Sequence, residues 1–432
     1  MILYYVIMRA VKFIFSDRRE KDMKTVKFGV IGLGNRGFAM LRDVLIPTEG
    51  VEFVAVCDEY EDRAEAAAKL VEEKKGKRPA VVTTDYREVL SGGKVDAVYI
   101  ATSWETHIGI AIDAMRANVA VALEVGGAYD LRECFDLVAA YEETKTPFML
   151  MENCCFAKEE LLATAMARAG KFGEIVHCSG AYGHDLRGEI TGGYKNRHYR
   201  LRNYRLRCAE NYPTHELGPI ARLLNINRGN RMVSLTSVAS KAAGLRDYIK
   251  DRGEEIDPTI RDYEWQQGDI VTTTIRCAGG ETIVLTLDTT LPRYYNRAFT
   301  VRGTRGMFEA APYMVYLDGQ PEYFDTTRTL REQLGNASEY EKEFLPPVWK
   351  SADEGAATRS HGGIDDIEFE VFFDALREGK PMPIDVYDAA AWMCITALSE
   401  ASIAAGGQAQ AIPDFTDGMW TRRDSVDVVP MK

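Results

Sequence analysis

The run Val26-Lys27-Phe28-Gly29-Val30-Ile31, followed at once by Gly32-Leu33-Gly34-Asn35-Arg36-Gly37, decides the fold of this chain. An apolar stretch of strand character enters a glycine turn, and the pattern Phe38, Met40, Leu41, Val44, Leu45 leaves it as an amphipathic helix. Glycines in such a turn let the backbone bend and approach a pyrophosphate, while the free N–H groups of the opening helix face the anion. A second apolar strand over 51–57 ends in Asp58, about 20 residues beyond Gly37. A carboxylate there accepts hydrogen bonds from ribose hydroxyls and repels a 2′-phosphate, so the pattern points to NAD rather than NADP.

Outward from this unit, strands are expected at 80–82, 96–101, 119–123 and 147–151, with helical patterns at 62–75, 106–117 and 131–144 between them. Such alternation predicts a doubly wound parallel sheet, a Rossmann domain over 23–153. After Met151 the texture changes. A helix at 158–169 precedes β-type segments at 175–182, 232–240, 269–277, 282–289, 298–302 and 306–317, with Gly279-Gly280 as a hairpin turn. An open, mainly antiparallel sheet over 154–432 is expected, an α+β unit beside the α/β one. Helices at 364–378 and 387–406 are expected to pack back on the first domain. Residues 1–22 read as an extension upstream of the folded chain.

At 432 residues the chain exceeds one ordinary core, which agrees with two domains. A net charge of −12 argues against nucleic acid or an anionic membrane as partner and leaves a small molecule. The eight cysteines show neither C-x-x-C nor a spacing to histidine suited to zinc. They read as free thiols, which implies a reducing, cytoplasmic location and no metal. An exposed sheet face would support a homo-oligomer.

Ligands of doubly wound sheets sit beyond the carboxyl ends of the strands. The residues placed there are Trp104 to His107, Glu124-Val125-Gly126-Gly127, and Glu152-Asn153. The second unit offers Tyr182-Gly183-His184-Asp185 and Asn211-Tyr212-Pro213-Thr214-His215-Glu216, two Tyr-His clusters able to donate and accept protons in one pocket. The arginines from Arg197 to Arg207 read as a solvated or carboxylate-paired face, with one near the pocket free to bind substrate. Arg293-Tyr294-Tyr295-Asn296-Arg297 is placed to reach the same cleft.

Residues 24–151 with a β-rich second domain resemble the glucose-fructose oxidoreductase/inositol dehydrogenase (Gfo/Idh/MocA) superfamily. Its dehydrogenases carry Glu-Lys-Pro after the fifth strand, where this chain has Glu124-Val125-Gly126, without the ionisable lysine. A narrower branch fits nearly the whole chain. Gly34-Asn35-Arg36-Gly37, Met151-Glu152-Asn153-Cys154-Cys155, Tyr182-x-His184-Asp185, Tyr212-Pro213-Thr214-His215, His361-Gly362-Gly363 and Asp385-Val386-Tyr387-Asp388-Ala389-Ala390-Ala391-Trp392 resemble glycoside hydrolase family 109, known for NAD-dependent α-N-acetylgalactosaminidases. With the glycine turn, that resemblance implies cofactor contacts from Gly32, Gly34, Asn35, Arg36, Gly37, Asp58, Trp104, Thr106, His107, Glu124, Val125 and Asn153. It implies a sugar site of Tyr182, Arg200, Tyr212, His215 and Tyr295, with Glu152 and His184 close by; Tyr294 competes with Tyr295. Glu216 and Gly126 depart from the family pattern, which has a small residue and a proline at these positions.

The implied activity is glycoside hydrolysis by transient oxidation at sugar carbon 3, elimination, water addition and re-reduction, NAD being restored each turn. NAD-dependent glycosidases stand outside the two-carboxylate scheme. His215 is expected as base, with Tyr182 and Tyr295 as partner donors or acceptors, tyrosine serving as a base only where its pKa is lowered. The alternative is a sugar or polyol dehydrogenase of the Gfo/Idh/MocA type.

Overall fold

The strand that leads into the glycine turn, Val26–Ile31 (β1), lies at the centre of a parallel sheet in a computed structural model that describes residues 24–321, 324–350 and 360–431. The residues read as an upstream extension lie outside the described ones. Val51–Cys57 (β2), Val81–Thr83 (β3), Ala97–Ile100 (β4), Ala120–Glu124 (β5) and Phe148–Met151 (β6) complete the sheet in the order β3-β2-β1-β4-β5-β6. The order reverses beside β1, so a crevice opens there at the carboxyl ends of the strands. The helix Leu131–Thr144 has the limits its pattern predicts, its start fixed by a capping box between Asp130 and Glu133.

The second sheet comprises Ile175–Gly183 (β7), Met232–Ala239 (β8), Ile270–Cys277 (β9), Thr282–Asp288 (β10), Thr300–Gly303 (β11), Gly306–Glu309 (β12), Met314–Leu317 (β13) and Gln410–Ala411 (β14). Its order is β13-β12-β11-β7-β10-β9-β8-β14. β9 and β10 form the expected hairpin, while β10 runs parallel to β7, so the sheet is mixed but mainly antiparallel. The segment 306–317 is two strands, not one. Pro312 offers no N–H to a ladder and Tyr313 adopts a positive φ of 63°, so the chain turns back between β12 and β13.

The late helix Ile364–Glu378 lies against the first sheet, whereas Val386–Ala404 runs between that domain and β8 of the second sheet, where Ser237 N–H donates to Ser402 Oγ at 2.9 Å. Phe369, Phe372 and Phe373 recur at helical spacing on one face, and Phe373 meets Phe28 of β1 edge-on at 5.2 Å. Burying such an aromatic side chain contributes roughly 1.5–3 kcal/mol. The backbone adds two ties, Leu150 N–H to Ile384 O and Ala128 N–H to Met393 O. The start of Ile364–Glu378 is held at the crevice by Asp365, which accepts from Arg36 and Asn153.

Candidate active site

At the carboxyl ends of β1, β2, β5 and β6 a cavity of 1320 Å³ runs from the glycine turn and Asp58 to Tyr182, His184, His215 and Tyr295. The turn is shaped for an anion. Gly32 has φ +91°, and a Cβ there would stand 2.6 Å from the Ala101 carbonyl carbon; a Cβ on Gly37 would stand 2.0 Å from Gly32 O. Gly37 therefore serves the close helix–strand packing and lies off the cavity, whereas Gly34 lines it and faces open space, with Arg63 as its nearest neighbour at 3.7 Å. Asp58 accepts N–H bonds from Leu33 at 2.6 Å and Tyr60 at 3.0 Å. Each of its oxygens keeps a second acceptor site for a ribose hydroxyl. These residues fit a dinucleotide.

Arg36 crosses the cavity floor. Its Nε donates to Glu124 Oε1 at 2.6 Å and its terminal nitrogens to Asp365 at 3.0 and 3.2 Å. Tyr99 donates to Glu124 at 2.8 Å, and Asn153 Nδ2 to Asp365 Oδ1 at 2.7 Å. Burial pushes the Asp365 carboxyl up, but the hydrogen bond of His361 and the charge of Arg36 outweigh it and hold the group well below the usual carboxylate range. Arg36, Glu124, Val125, Asn153 and Thr106 all line the cavity, as does Asn35.

Trp104 and His107 do not. Both are buried behind the wall, where Trp104 packs edge-on with Tyr199 at 4.8 Å and against Tyr212 at 5.8 Å. Burial lowers the His107 imidazole to about 4, so it is neutral. Gly126 explains their placement, because a Cβ there would lie 2.4 Å from Trp104 Cδ1 and 3.0 Å from His107 Cε1. At Gly127 a Cβ would meet Thr396 Oγ1 at 1.9 Å. The glycine pair thus admits an indole on one side and the late helix on the other.

At the far end of the cavity five rings converge. Tyr182 and Tyr212 have centroids 4.6 Å apart, His215 stands edge-on to both at 5.5 and 4.9 Å, and His184 meets Tyr295 at 5.2 Å. Tyr182 Oη and His184 Nδ1 are 3.2 Å apart. His215 opens the helix Thr214–Leu223, and its Nδ1 lies 2.7 Å from Glu152 Oε1. Glu152 is fully buried behind His215 rather than on the cavity wall. Burial pushes its carboxyl up, yet the imidazole charge and hydrogen bond of His215 bring the net pKa below the usual value. Arg200, also buried, stacks its guanidinium over Tyr212 at 4.9 Å and Trp104 at 5.2 Å and pairs with Glu189 at 3.3 Å.

The tyrosines behave oppositely to what a base requires. Desolvation raises the phenols of Tyr182, Tyr212 and Tyr295, and Arg200 offsets this only in part at Tyr182 and Tyr212. They are neutral donors. His184 is lowered by burial and then by Arg200, and so stays an acceptor near neutral pH.

The structure also brings in residues that the sequence reading left out. Tyr99, His361 and Asp365 belong to the Arg36 network. Arg297, expected to reach the cleft, lines the cavity while held by Glu160 at 2.8 Å. His361 was visible as part of a Gly-rich word; nothing in the sequence singled out Asp365. Tyr295 lines the cavity, whereas Tyr294 is 77% exposed outside it. Arg293 pairs with Asp288 and does not reach in.

Two family models divide the chain: an oxidoreductase family NAD-binding Rossmann fold over residues 26–151 and a glycosyl hydrolase 109 C-terminal domain over residues 156–422. The chain is 37% identical to an alpha-N-acetylgalactosaminidase of Tannerella forsythia, covering 92% of this chain and 88% of that one. The chain belongs to glycosyl hydrolase family 109. A family 109 protein of Stenotrophomonas maltophilia is 36% identical over 93% of this chain and 92% of its own. The fold is shared more widely. Levoglucosan dehydrogenase in complex with NADH and L-sorbose has a TM-score of 0.65 at 19% identity, covering 91% of this chain and all of that one. The apo scyllo-inositol dehydrogenase of Lactobacillus casei has 0.62 at 13%, with 90% and 99% covered. The enzyme is therefore an NAD-dependent glycosidase on a fold shared with dehydrogenases, and its substrate is a carbohydrate. Among the described residues no helix is long and apolar enough to cross a membrane.

Proposed function

We propose that this enzyme hydrolyses α-N-acetylgalactosaminides, or glycosides close to them, with residues 23–153 holding NAD and residues 154–432 holding the sugar. The observation that carries the reading is the single continuous cavity, with a dinucleotide cradle at one end and the Tyr182, Tyr212, His215 and Tyr295 cluster at the other. The Tannerella relative bears the name of that activity, and the chain covers most of its length.

In this reading Gly32, Gly34, Asn35, Arg36 and Asp58 hold the cofactor, and Glu124 and Asp365 fix the Arg36 guanidinium. Bound NAD supplies a hydride acceptor at sugar carbon 3 and returns the hydride later in the cycle. His215, with Nδ1 engaged by Glu152, uses its other nitrogen to take the proton from the carbon 3 hydroxyl. Once carbon 3 is a ketone and the imidazole has passed that first proton to solvent in the cavity, it is placed to take the carbon 2 proton. The negative charge that forms is met by neutral donors, the buried Tyr182 and the cavity-lining Tyr295, whose phenols desolvation keeps protonated. Arg200 lines the cavity and presents its guanidinium towards the substituent at carbon 2. No lysine follows Glu124, so proton transfer falls to the second unit.

The test is a panel of α- and β-linked aryl glycosides and thioglycosides, assayed with solvent deuterium to read exchange at carbon 2. Cleavage with deuterium at carbon 2 and no net NADH is the expected result. Steady NADH release from free sugar without cleavage would overturn the hydrolase reading in favour of a sugar or polyol dehydrogenase.

A further inference from the structure

His215, Glu152 and Cys154 form a second kind of site at the same place, with His215 Nδ1 already 2.7 Å from Glu152 Oε1. One ligand atom from each lies within 4.8 Å of the other two. Around a tetrahedral metal with bonds of about 2.0–2.3 Å, donor atoms sit roughly 3.3–3.8 Å apart, so the three side chains need shifts of about an ångström or less to converge. His215 and Cys154 both line the cavity, which leaves the remaining coordination position facing the space that admits substrate. Glu152 uses Oε1 for His215 and for the Cys154 N–H at 3.1 Å. Its Oε2 is buried and meets no donor in hydrogen-bonding geometry, and the Thr214 hydroxyl lies near the carboxylate. A mixed nitrogen, oxygen and sulfur set favours a borderline-soft divalent cation such as zinc over magnesium or calcium.

We propose that this triad is an inhibitory binding site for a thiophilic divalent cation, which shuts off the base of the glycosidase reaction. Binding replaces the proton between His215 Nδ1 and Glu152 by the metal, and the Cys154 thiol becomes a thiolate. The Nδ1 proton passes to Nε2 of the neutral imidazole and the thiol proton leaves to water, so affinity rises with pH. With Nδ1 ligated, His215 loses its carboxylate partner and its basicity, and the open position admits water or a sugar hydroxyl as fourth ligand. Cys154 has no part in the hydrolysis proposed above, which makes it the residue to vary.

The enzyme with its NAD bound is titrated with cobalt(II) and, separately, with zinc(II). The expected result is a thiolate-to-cobalt charge-transfer band in the near ultraviolet, together with inhibition by zinc that a chelator reverses. Cys154→Ser abolishes the band and, measured against its own uninhibited turnover, weakens inhibition by at least about tenfold, a scale reached even by partners outside the ligand shell. The optical arm does not depend on glycosidase activity, so its outcome is separable from that of the proposed function. No band in the unaltered enzyme, or inhibition equal in Cys154→Ser, overturns the proposal. A band without inhibition places the cation away from the base and overturns it equally.

Discussion

Replacing Glu152 with glutamine tests whether the buried carboxylate is the partner of the base. The amide keeps size and an acceptor oxygen near the 2.7 Å contact with His215 Nδ1, so the ring is still oriented, but the charge is gone. If His215 becomes a cation when it takes a proton, the carboxylate about 4 Å from its charge centre stabilises it by about 4 kcal/mol at an effective dielectric near 20. That corresponds to about a thousandfold in rate. The expected outcome is a fall in kcat of about that size on an aryl glycoside, with carbon 2 deuterium exchange falling in parallel and bound NAD unchanged. Glu152→Asp, which keeps the charge on a shorter arm, should recover part of the loss. Glu152→Gln within threefold of the unaltered enzyme would refute the dyad.

Three further outcomes follow from the geometry. Asp58→Ala removes acceptors for both the Leu33 N–H and the ribose, each worth about 1.5–3 kcal/mol for a charged partner; NAD affinity measured by titration should fall at least about tenfold. Gly126→Ala puts a Cβ 2.4 Å from Trp104 and should expel the indole, read as a change in tryptophan fluorescence and a loss of stability of about 1–3 kcal/mol. His107 is held neutral to about 4, below its ordinary 6.5, so the unfolded chain takes up the proton first. Its contribution to stability is complete above pH 6.5 and is lost as pH falls towards 4, by up to about 3 kcal/mol at 1.36 per unit. His107→Gln should flatten that limb in urea unfolding.

The parallel sheet and its glycine turn were legible because the information is local. Strand period, turn chemistry and helix start lie within adjacent residues, and Gly32 and Gly37 meet each other directly across the turn. The Tyr-His words at 182–184 and 212–215 were legible as chemistry, but their convergence depends on β7 and the helix Thr214–Leu223 packing together. What the sequence could not convey was pairing over long separations and the depth of burial. Arg36 and Asp365 are 329 positions apart, and only the return of Ile364–Glu378 to β1 joins them. Trp104 and His107 read as pocket residues because they follow β4, yet Gly126 leaves room for them to turn inward. The phenol of Tyr182 read as a donor or an acceptor, and desolvation leaves it a donor.

The adenosine end of the cavity bears on the net reaction. The chain after β7 passes over β2's crevice and is tied there: Arg63 donates to Asn196 O at 2.6 Å, Arg197 pairs with Asp62 at 2.8 Å while lying 4.1 Å over Tyr60, and Arg202 holds Glu105 at 2.6 and 3.0 Å. A dehydrogenase that releases NADH each turn must open such a closure at the turnover rate. A hydrolase that restores its NAD in place has no need to open it, so the ties cost it nothing in rate. The residues of the strap thus favour the same reading as the missing lysine after Glu124. Arg202→Ala removes one partly buried pair worth up to about 1 kcal/mol, and should speed NAD loss on gel filtration about fivefold while leaving turnover with saturating NAD unchanged. If turnover rose in step with release, cofactor exchange would be part of the catalytic cycle, and the closed strap would belong to a dehydrogenase.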